Sequence, residues 1–384
     1  MANNNGRWRE LVCACIVGFA FAANYTNHAP MVGVLAAEFH FSLAMAGLLT
    51  TGIFVTHAAM QVPGGHLADR LGARRVVLAG LAVVAAGNLG MAGAGAYWHL
   101  LAWKIVTGVG TGVSIVAGAR YIAEVYAGER AHLAQGFYGG SILLGSGFVI
   151  LVVPRLLMQV GWRGSFLATT GLAVAAWLIW LAAAPAHQKA GGHAAVRLSE
   201  LALDRRLWLL GVAQMSSFGL QIVVGTWITL YLKLEVGLGA AQAGLVGSSV
   251  LLLGMILRPL GGALVRVTGA RRLLVGSLLA SAAGCFMLAR QGGSLGWAAA
   301  AILLVGIGCG LPYAAIFTGA AAMHPSRAGA AMGLVNMIGI VMILVAPPAI
   351  GYLVDWSGSF HSSFLTLGSF ALLAAGLSLR VEQR

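Results

Sequence analysis

Twelve apolar runs account for most of this sequence, and each is long enough to cross a lipid bilayer as a helix. A spanning helix needs about 20 apolar residues. Inside the hydrocarbon layer no water satisfies the backbone N–H and C=O groups, so runs of this length must be helical. The runs lie at residues 11–33, 44–64, 76–96, 99–121, 133–156, 164–184, 207–232, 241–263, 273–290, 297–320, 329–354 and 363–380. The sequence therefore predicts an all-α membrane protein with twelve transmembrane helices.

The composition supports a chain that is dissolved in lipid. Hydrophobic residues make up 59% of the 384 residues and charged residues only 9%, whereas about 25% of the residues of a soluble domain are charged. These values exclude a soluble enzyme, a disordered chain and a disulfide scaffold. The four cysteines, Cys13, Cys15, Cys285 and Cys309, lie inside apolar runs and lack the spacing of a metal site. The apolar start has no cleavage site of the signal-peptide type, so we expect a retained first span.

The net charge of +13 comes from basic residues in the short segments between the runs. One side of the predicted topology carries Arg7, Arg9, Arg70, Arg74, Arg75, Arg130, Lys189, Arg197, Arg205, Arg206, Arg266, Arg271, Arg272, Arg327, Arg380 and Arg384. The other side carries only Arg163, Lys233 and Arg290, offset by Glu38, Glu235 and Asp355. The positive-inside rule then places both termini in the cytoplasm, and we expect a monomer in a bacterial inner membrane. Because topology accounts for the basic charge, we expect no nucleic-acid partner.

The longest polar interruption divides the chain into two similar halves. We expect a six-helix bundle over residues 1–184, a cytoplasmic linker over residues 185–206 and a second six-helix bundle over residues 207–384. A constant offset of 197 residues pairs Leu35 with Leu232, Glu38 with Glu235, Gly64 with Gly261, Gly72 with Gly269, Gly136 with Gly333, and Gly161 with Gly358. The halves are therefore parallel repeats, and a cavity between them near the midplane is the expected solute site.

A loop motif then indicates a family. Residues 65–75 read GHLADRLGARR and resemble the G-x-x-x-D-R-x-G-R-R motif of the major facilitator superfamily, with Ala73 at a position where arginine is common. The second copy, residues 262–272, is degenerate, since Arg266 replaces the aspartate and Val267 the arginine. The resemblance covers the whole chain. It implies the major facilitator fold, a secondary transporter that works by alternating access, a small-molecule solute and no enzymatic activity or cofactor.

The same motif supplies candidate gating residues. Asp69 can face the positive end of a neighbouring helix, and Arg70 can pair with an acid such as Glu124 or Glu129. Breaking this latch would favour one access state. The alternative role for Arg74 and Arg75 is that of topology anchors. The candidate gating residues are Asp69, Arg70, Arg74, Arg75 and Glu124.

Two further segments qualify the resemblance. Lys104, in Lys104–Gly112, stands where the family's R-x-x-x-G-x-G motif has an arginine that relatives use in proton coupling. A lysine lacks the guanidinium fork, and its alternative role is to extend towards the lipid headgroups. The fifth run lacks the Gly-Pro pair of the antiporter motif and carries Gly139, Gly140 and Gly147 instead, which suit either close packing or a smooth wall beside a small solute. The lysine weakens the transfer of the proton-coupling role to this chain, and the missing Gly-Pro pair weakens a proton–drug antiporter interpretation.

None of the ten acidic residues lies at the middle of an apolar run, and Glu124 comes closest. Intramembrane charges are costly and mark candidate sites. Sugar–proton symporters and cation exporters of the family usually carry a central carboxylate. The distribution of acids therefore argues against both classes.

Basic residues, in contrast, do lie inside the runs, and Arg258 is the foremost of them. A buried base without an acid needs an anion, and the guanidinium fork fits a planar oxyanion. The surrounding Arg-Pro-Leu-Gly-Gly segment resembles the eighth span of nitrate/nitrite porters, where an arginine grips the anion. Those porters use a second arginine in the second span, where this chain has His57 and Gln61. Oxalate-type and monocarboxylate porters also use bases without acids.

We therefore expect Arg258 to bind a small anion, an inorganic oxyanion or a small carboxylate, with Lys104 and Arg120 adding positive charge. The alternative for Arg258 is to cap carbonyl groups at a helix end. The other candidate solute-binding residues are uncharged or titrate near neutral pH, and they are Asn24, Tyr25, Asn27, His28, His57, Gln61, Gln214, Gln221, Tyr313 and Asn336.

Several of these candidates cluster ahead of Pro30, where the first helix should bend. His28 and His57 are the candidate proton carriers. The alternative for the polar residues is hydrogen bonding between helices.

Two other functions remain open. Proton-coupled efflux of hydrophobic compounds predicts an uncharged pocket that tolerates the loss of Arg258. Copper transport is suggested by His28–Met31, His57–Met60 and Met323–His324, although methionine more often fills gaps in an apolar core. The expected site holds no metal and no cofactor. The Gly-x-Gly-x-Gly at Gly108–Gly112 lies within a predicted helix and is no nucleotide site.

Overall fold

The computed structural model describes residues 4–126, 129–185, 201–290, 293–324 and 328–381, and all regular structure in these segments is helical. The helices of the first half are α1 (Asn4–Ala22), a 3-10 turn (Ala29–Met31), α2 (Val32–Phe39), α3 (Leu43–Ala59), α4 (Gln61–Leu71), α5 (Ala73–Ala92), α6 (Tyr97–Val125) and α7 (Glu129–Ala183). Those of the second half are α8 (Arg205–Gln214), a π-helical turn (Met215–Gly219), α9 (Leu220–Leu234), α10 (Ala240–Leu252), α11 (Gly254–Thr268), α12 (Ala270–Ala289), α13 (Leu295–Gly310), α14 (Pro312–Met323), α15 (Ala328–Ser357) and α16 (His361–Ser378).

The described segments contain nine helices that are long and apolar enough to cross a membrane, or ten if the bent pair Leu43–Ala59 and Gln61–Ala68 is one span. The predicted all-helical membrane fold is therefore present, while the count of twelve stays a prediction. One difference lies in α7, because a single stretch, Ala134–Ala183, covers two of the predicted runs. The other difference lies in α1 (Asn4–Ala22), which begins with polar residues and is not among the nine helices.

A glycine interrupts α7 at the predicted boundary between two runs. A continuous helix of 50 residues would extend about 75 Å at 1.5 Å per residue, more than twice the thickness of the hydrocarbon layer of about 30 Å. Gly161 has φ 68° and ψ −177°, which no helix contains. This backbone conformation is open to glycine because it lacks a Cβ atom, and it ends one helical segment and starts the next.

Contacts within the chain define two compact units. The first comprises Met1–Phe41 and Leu48–His193, and the second comprises Ser42–Gly47 and Ala194–Arg384. In the first unit α5 packs along α6 and α1 along α7, and in the second unit α12 packs against α13 and α16. Residues 186–200 of the predicted linker lie outside the described segments, so the predicted domain limits stay predictions.

The 197-residue repeat is also visible in the backbone. The described residues with positive φ fall into three pairs at that offset: His40 (50°) with Gly237 (76°), Gly72 (87°) with Gly269 (81°), and Gly161 (68°) with Gly358 (70°). Left-handed backbone is unfavourable for residues other than glycine. The two halves therefore turn in the same way at the same three junctions.

Equivalent side chains stabilise equivalent junctions. Glu38 accepts a hydrogen bond from Arg163 Nη1 at 3.2 Å, shortly after Gly161. Its counterpart Glu235 accepts one from the backbone N–H of Phe360 at 2.9 Å, shortly after Gly358. The pairing of Glu38 with Glu235 in the sequence thus corresponds to a repeated contact.

His40 is the one residue in the three pairs that is not a glycine, and this leads to a stability prediction. His40 follows α2 in left-handed conformation, where glycine is preferred by about 1 kcal/mol. We expect His40→Gly to stabilise the protein by about 1 kcal/mol and Gly237→Ala to destabilise it similarly, as measured by thermal unfolding in detergent. Gly276→Ala is the control, because Gly276 lies inside α12 and has open space around it. Equal effects of Gly237→Ala and Gly276→Ala would contradict the argument.

Candidate functional site

The first candidate region is a break in the helical path after α1. The helix ends at Ala22, residues 23–28 form turns, and a 3-10 turn follows over Ala29–Met31. Pro30 lacks a backbone N–H and cannot continue an α-helix. The predicted bend ahead of Pro30 is therefore present, and it places several polar residues inside the first unit.

A buried hydrogen-bonded group, here called the amide cluster, surrounds this break. Its members are Asn24, Asn27, Asn88, Lys104 and Thr169. Asn27 Nδ2 lies 3.1 Å from Asn88 Oδ1, 3.2 Å from Asn24 Oδ1 and 3.2 Å from Thr169 Oγ1. Asn88 Nδ2 donates to Asn24 Oδ1 and, at 3.1 Å, to the carbonyl of Val84 in its own helix. The cluster joins the break to α5, α6 and α7.

Lys104 provides the only charge of the amide cluster. The side chain is fully buried, and Nζ donates to the carbonyl oxygen of Asn24 at 2.8 Å and to Asn27 Oδ1 at 2.6 Å. A cation near the carbonyl end of a helix such as α1 is favourable. Lys104 thus points into the first unit and does not extend towards headgroups.

Tyr25 and His28 adjoin members of the amide cluster in sequence and face α3. The Tyr25 ring lies 4.9 Å from Phe54 and 5.3 Å from His57, between ring centroids. His28 Nε2 lies 3.0 Å from Thr50 Oγ1. The Tyr25 hydroxyl and His28 Nδ1 are buried and have no hydrogen-bond partner among the described residues. Such atoms are costly unless a ligand or water completes their bonds.

His57 lies in the same region of the first unit. It is 2% exposed, and its Nδ1 lies 3.0 Å from Thr111 Oγ1 in α6. Gln61, at the start of α4, is half-buried. The structure therefore brings His57 beside Tyr25 within the first unit, whereas Gln61 forms no hydrogen bond with either of them among the described residues.

The glycines of α6 explain why α3 can approach so closely. A Cβ added to Gly108 would lie 2.2 Å from the carbonyl oxygen of Ile53, and one added to Gly112 would lie 2.5 Å from that of His57. Gly110 faces α5 instead, where a Cβ would lie 2.5 Å from the carbonyl oxygen of Gly80. The Gly-x-Gly-x-Gly pattern thus serves helix packing.

The second unit contains the arginine stack, defined as Arg258, Tyr313 and Phe218. The Arg258 side chain projects from α11 and is 7% exposed. Its Cζ lies 3.9 Å from the centroid of Tyr313, at the start of α14, and 5.7 Å from that of Phe218, in the π-helical turn. A cation over an aromatic face gains about 2 kcal/mol when desolvated.

The predicted polar residues of the second half form contacts between helices. Gln214 Nε2 lies 3.4 Å from Asn336 Oδ1, and Gln221 Nε2 donates to the carbonyl of Val250 at 2.7 Å. Between them lies the π-helical turn Met215–Gly219, a type of irregularity that is frequent at functional sites. These contacts match the alternative of interhelical hydrogen bonding.

The candidate gating residues occupy different environments. Arg74 Nε and Nη2 donate to the carbonyl oxygens of Ala184 and Leu181, both at 2.6 Å, and so cap the end of α7. Its repeat partner Arg271 caps Val381 in the same way at 3.1 Å. Arg70 and Arg75 are exposed, and the side chain of Asp69 lies outside the described ones. The gating roles stay predictions.

Glu124 has a partner within its own helix. Arg120 Nε lies 3.4 Å from Glu124 Oε1, and both side chains are largely buried. In the described residues Glu124 therefore pairs with Arg120, and the expected contact with Arg70 is not formed. The charge of Arg120 is at least partly balanced inside α6.

Outside the spanning segments, Asp204 caps the start of α8 and contacts His324. Asp204 caps this helix by accepting from the Arg206 N–H at 2.9 Å, and its other oxygen lies 3.0 Å from His324 Nε2. Burial alone would raise the pKa of Asp204, but the hydrogen bonds from Arg206 and His324 and the charge of Arg206 hold it below its usual value. Asp204 thus stays ionised and stabilises the helix start.

Sequence reasoning missed part of this arrangement. It identified Lys104, Asn24 and Asn27, but not Asn88 and Thr169, which complete the amide cluster. It paired Arg258 with no aromatic partner, although Tyr313 was a candidate. An asparagine inside an apolar run was the available signal for Asn88. Among the described residues, no three His, Cys, Asp or Glu side chains come together as a metal site requires.

Comparison with known proteins places these features in a family context. The model of the Major Facilitator Superfamily matches residues 14–338 and, in a second match, residues 210–384. A probable nitrate/nitrite antiporter NarK1 of Thermus thermophilus is 25% identical over 381 residues, covering 90% of this chain and 85% of that protein.

Another relative and one solved structure are also similar to this chain. A probable sulfoacetate transporter SauU of Cupriavidus necator is 25% identical, covering 94% of this chain and 90% of that protein. The crystal structure of a bacterial homolog to the human lysosomal transporter Spinster, inward-facing and occupied, superposes with a TM-score of 0.84. It covers 99% of this chain and 97% of that one at 16% identity, so this likeness concerns the fold alone.

Proposed function

Because the chain belongs to the Major Facilitator Superfamily, we propose that it is a secondary transporter that moves a small anion by alternating access. The relatives are named transporters rather than enzymes. The solute class that we propose is an inorganic oxyanion or a small carboxylate.

We propose that the chain crosses the membrane twelve times. Three adjustments lead from the nine long apolar helices to this number. The bent pair α3 and α4 counts as one span, α7 counts as two spans because of Gly161, and α1 with the break that follows it forms the first span. The charge distribution between the runs supports cytoplasmic termini.

The observation that carries the proposed solute class is the arginine stack. Arg258 places a permanent positive charge in a buried position inside the second unit. Stacking on Tyr313 at 3.9 Å occupies one face of the guanidinium, whereas its N–H donors lie in the plane of the group. Donors in a plane suit a flat oxyanion, to which charge-assisted hydrogen bonds are about twice as strong as neutral ones.

The names of the relatives support the same class. Nitrate and nitrite are centred on nitrogen and sulfoacetate carries a sulfonate and a carboxylate, but each of these anions has oxygen atoms that share a negative charge. At 25% identity these names favour an anion and do not select one. This chain also departs from the porters that it resembles, because His57 and Gln61 stand where they use a second arginine.

We assign supporting roles to residues of the first unit. Tyr25 can donate a hydrogen bond to an anion, since its buried hydroxyl has no partner among the described residues. His28 and His57 are the proposed proton carriers, because each buried imidazole lies 3.0 Å from a hydroxyl group, that of Thr50 and that of Thr111 respectively. Asp69, Arg70 and Glu124 remain the proposed gating residues.

A panel of anions tests the proposed function. We expect one anion from nitrate, nitrite, formate, oxalate, lactate, sulfoacetate and larger carboxylates to raise the unfolding temperature of the purified protein. At 100 times its Kd, such a ligand adds about 2.7 kcal/mol of stability. The same anion should be taken up by proteoliposomes that contain the protein, with empty liposomes as the control.

Other outcomes would favour the other functions. Stabilisation by hydrophobic cations without any anion effect would replace anion transport by efflux. Stabilisation by copper(I) alone would replace it by metal transport.

A further inference from the structure

The amide cluster surrounds a segment that lies between helices and is built from turns. Residues 23–28 belong to no helix, so their backbone groups bond in turns, such as Tyr25 N to Ala22 O at 3.0 Å, and can take further partners from outside the segment. The cluster supplies such partners from outside, because Lys104 Nζ binds the carbonyl of Asn24 at 2.8 Å. This carbonyl belongs to the peptide that links Asn24 to Tyr25.

The side-chain atoms of the cluster are almost completely satisfied. Asn24 Nδ2 donates to Ala20 at 2.8 Å while its Oδ1 accepts from Asn27 and Asn88. Asn27 uses its oxygen for Lys104 and its nitrogen for Asn24, Asn88 and Thr169. A satisfied buried network makes one arrangement rigid, whereas a partly satisfied one is costly. The loss of one member therefore affects all the others.

Tyr25 and His28, which follow two cluster members in the chain, differ from them because each has an unsatisfied polar atom among the described residues. Tyr25 comes directly after Asn24 and His28 directly after Asn27, and each has a buried polar atom without a hydrogen-bond partner among the described residues. The segment thus alternates between groups that are anchored and groups that are left available. This alternation is what a preorganised binding segment requires.

Among the described residues, the second half has no counterpart of this cluster at the equivalent positions. At the 197-residue offset, Asn88 corresponds to Cys285, Lys104 to Ala301 and Asn27 to Val224. None of these three replacements can form the bonds described above. The amide cluster is therefore no general requirement for folding a half of this architecture, since the second half folds without it.

We propose that Asn88 and Thr169 are positioning residues, which hold the 23–31 segment so that Tyr25 and His28 face the transported anion. This inference rests on the proposed function. In this arrangement Lys104 anchors the segment and does not bind the solute. Asn88 determines affinity although it lies in another helix, α5, from which it forms hydrogen bonds with Asn24, Asn27 and the carbonyl of Val84.

The test compares Asn88→Ala with a matched control, Thr107→Val. Thr107 is also buried in the first unit, but its hydroxyl bonds only the carbonyl of Trp103 in its own helix, at 2.8 Å. Lys104→Met removes the anchor, and Lys104→Arg restores donors and charge. Each purified variant is measured for hydrogen exchange over residues 23–31 and for the affinity of the anion that stabilises the wild type.

We expect Asn88→Ala and Lys104→Met to increase exchange over residues 23–31 and to weaken anion affinity about tenfold, by loss of preorganisation. Thr107→Val should change neither quantity, and Lys104→Arg should recover most of the affinity. Faster unfolding of Asn88→Ala with unchanged exchange in the segment and affinity within about twofold of wild type would overturn the inference. An equal loss of affinity in Thr107→Val would also overturn it, because it would indicate general loosening.

Failure of the proposed function gives a different result. In that case the wild-type protein itself binds no anion in the panel, whereas the inference concerns the ratio between variant and wild type. If another solute is found, the same affinity ratio and the same exchange measurement apply to it, and unchanged values would reject the positioning role.

Discussion

Replacement of Arg258 by alanine is expected to weaken binding of the transported anion by about 100-fold. A hydrogen bond to a charged group contributes about 1.5–3 kcal/mol, and each 1.4 kcal/mol corresponds to a factor of ten in affinity. The loss should reach the upper part of this range because Arg258 is buried, with 7% of its surface exposed. Isothermal titration of the purified variant measures the loss directly, and uptake by proteoliposomes should fall in parallel.

Two further variants separate charge from geometry. Arg258→Lys keeps a positive charge but loses both the planar fork and the flat face that stacks on Tyr313, so we expect a loss of about tenfold. Arg290→Ala is the matched control, since Arg290 also stacks on an aromatic ring, Trp297 at 5.2 Å, but is exposed. Wild-type affinity in folded Arg258→Ala would remove Arg258 from the site and would leave the capping role as its explanation.

The second large effect is expected at Gly108, where a methyl group should lower the free energy of unfolding by about 3 kcal/mol. A Cβ at this position would lie 2.2 Å from the carbonyl oxygen of Ile53 and 2.1 Å from Thr56 Oγ1. The hydroxyl can rotate away, but a backbone carbonyl within α3 cannot. Overpacking of a tight contact costs about 1–3 kcal/mol, and a rigid neighbour places Gly108→Ala at the high end. Thermal unfolding in detergent provides the measurement.

The control for this variant is another helical glycine that has space. Gly171 lies in α7, is exposed and has no atom within 4 Å of an added Cβ. Gly171→Ala should leave stability unchanged or raise it by about 0.5–1 kcal/mol, since alanine favours a helix. A similar fall in stability for both variants would show that helix packing at Gly108 is not the cause.

Patterns within single segments made most of the fold predictable. Apolar runs indicated helices because lipid leaves the backbone no other choice. The offset between the halves paired Gly72 with Gly269 and Gly161 with Gly358, and both pairs prove to share left-handed backbone. The bend ahead of Pro30 followed from the missing N–H of proline. Such features depend on local chemistry, which the sequence contains directly.

Contacts between distant helices could not be predicted in the same way. The amide cluster needs Asn88 and Thr169, which are 81 residues apart in the chain and meet only at the break after α1. Lys104 could be recognised as a buried base, but its main acceptor is the carbonyl of Asn24, which becomes available only because the helix ends there. The contact of Phe218 with Arg258 could not be predicted either, since no sequence spacing links the two residues.

The three matched left-handed junctions have a consequence for the origin of this chain. Side chains have diverged widely between the halves, yet the handedness of the backbone is the same at every matched pair. This is the record expected of an ancestral unit that was duplicated and fused after its turns were established. The buried basic residues, in contrast, differ between the halves, because Lys104 corresponds to Ala301 and Arg258 to Gln61. Joining the copies in one polypeptide allowed each to mutate alone, so the two halves could acquire different chemical tasks on a shared frame.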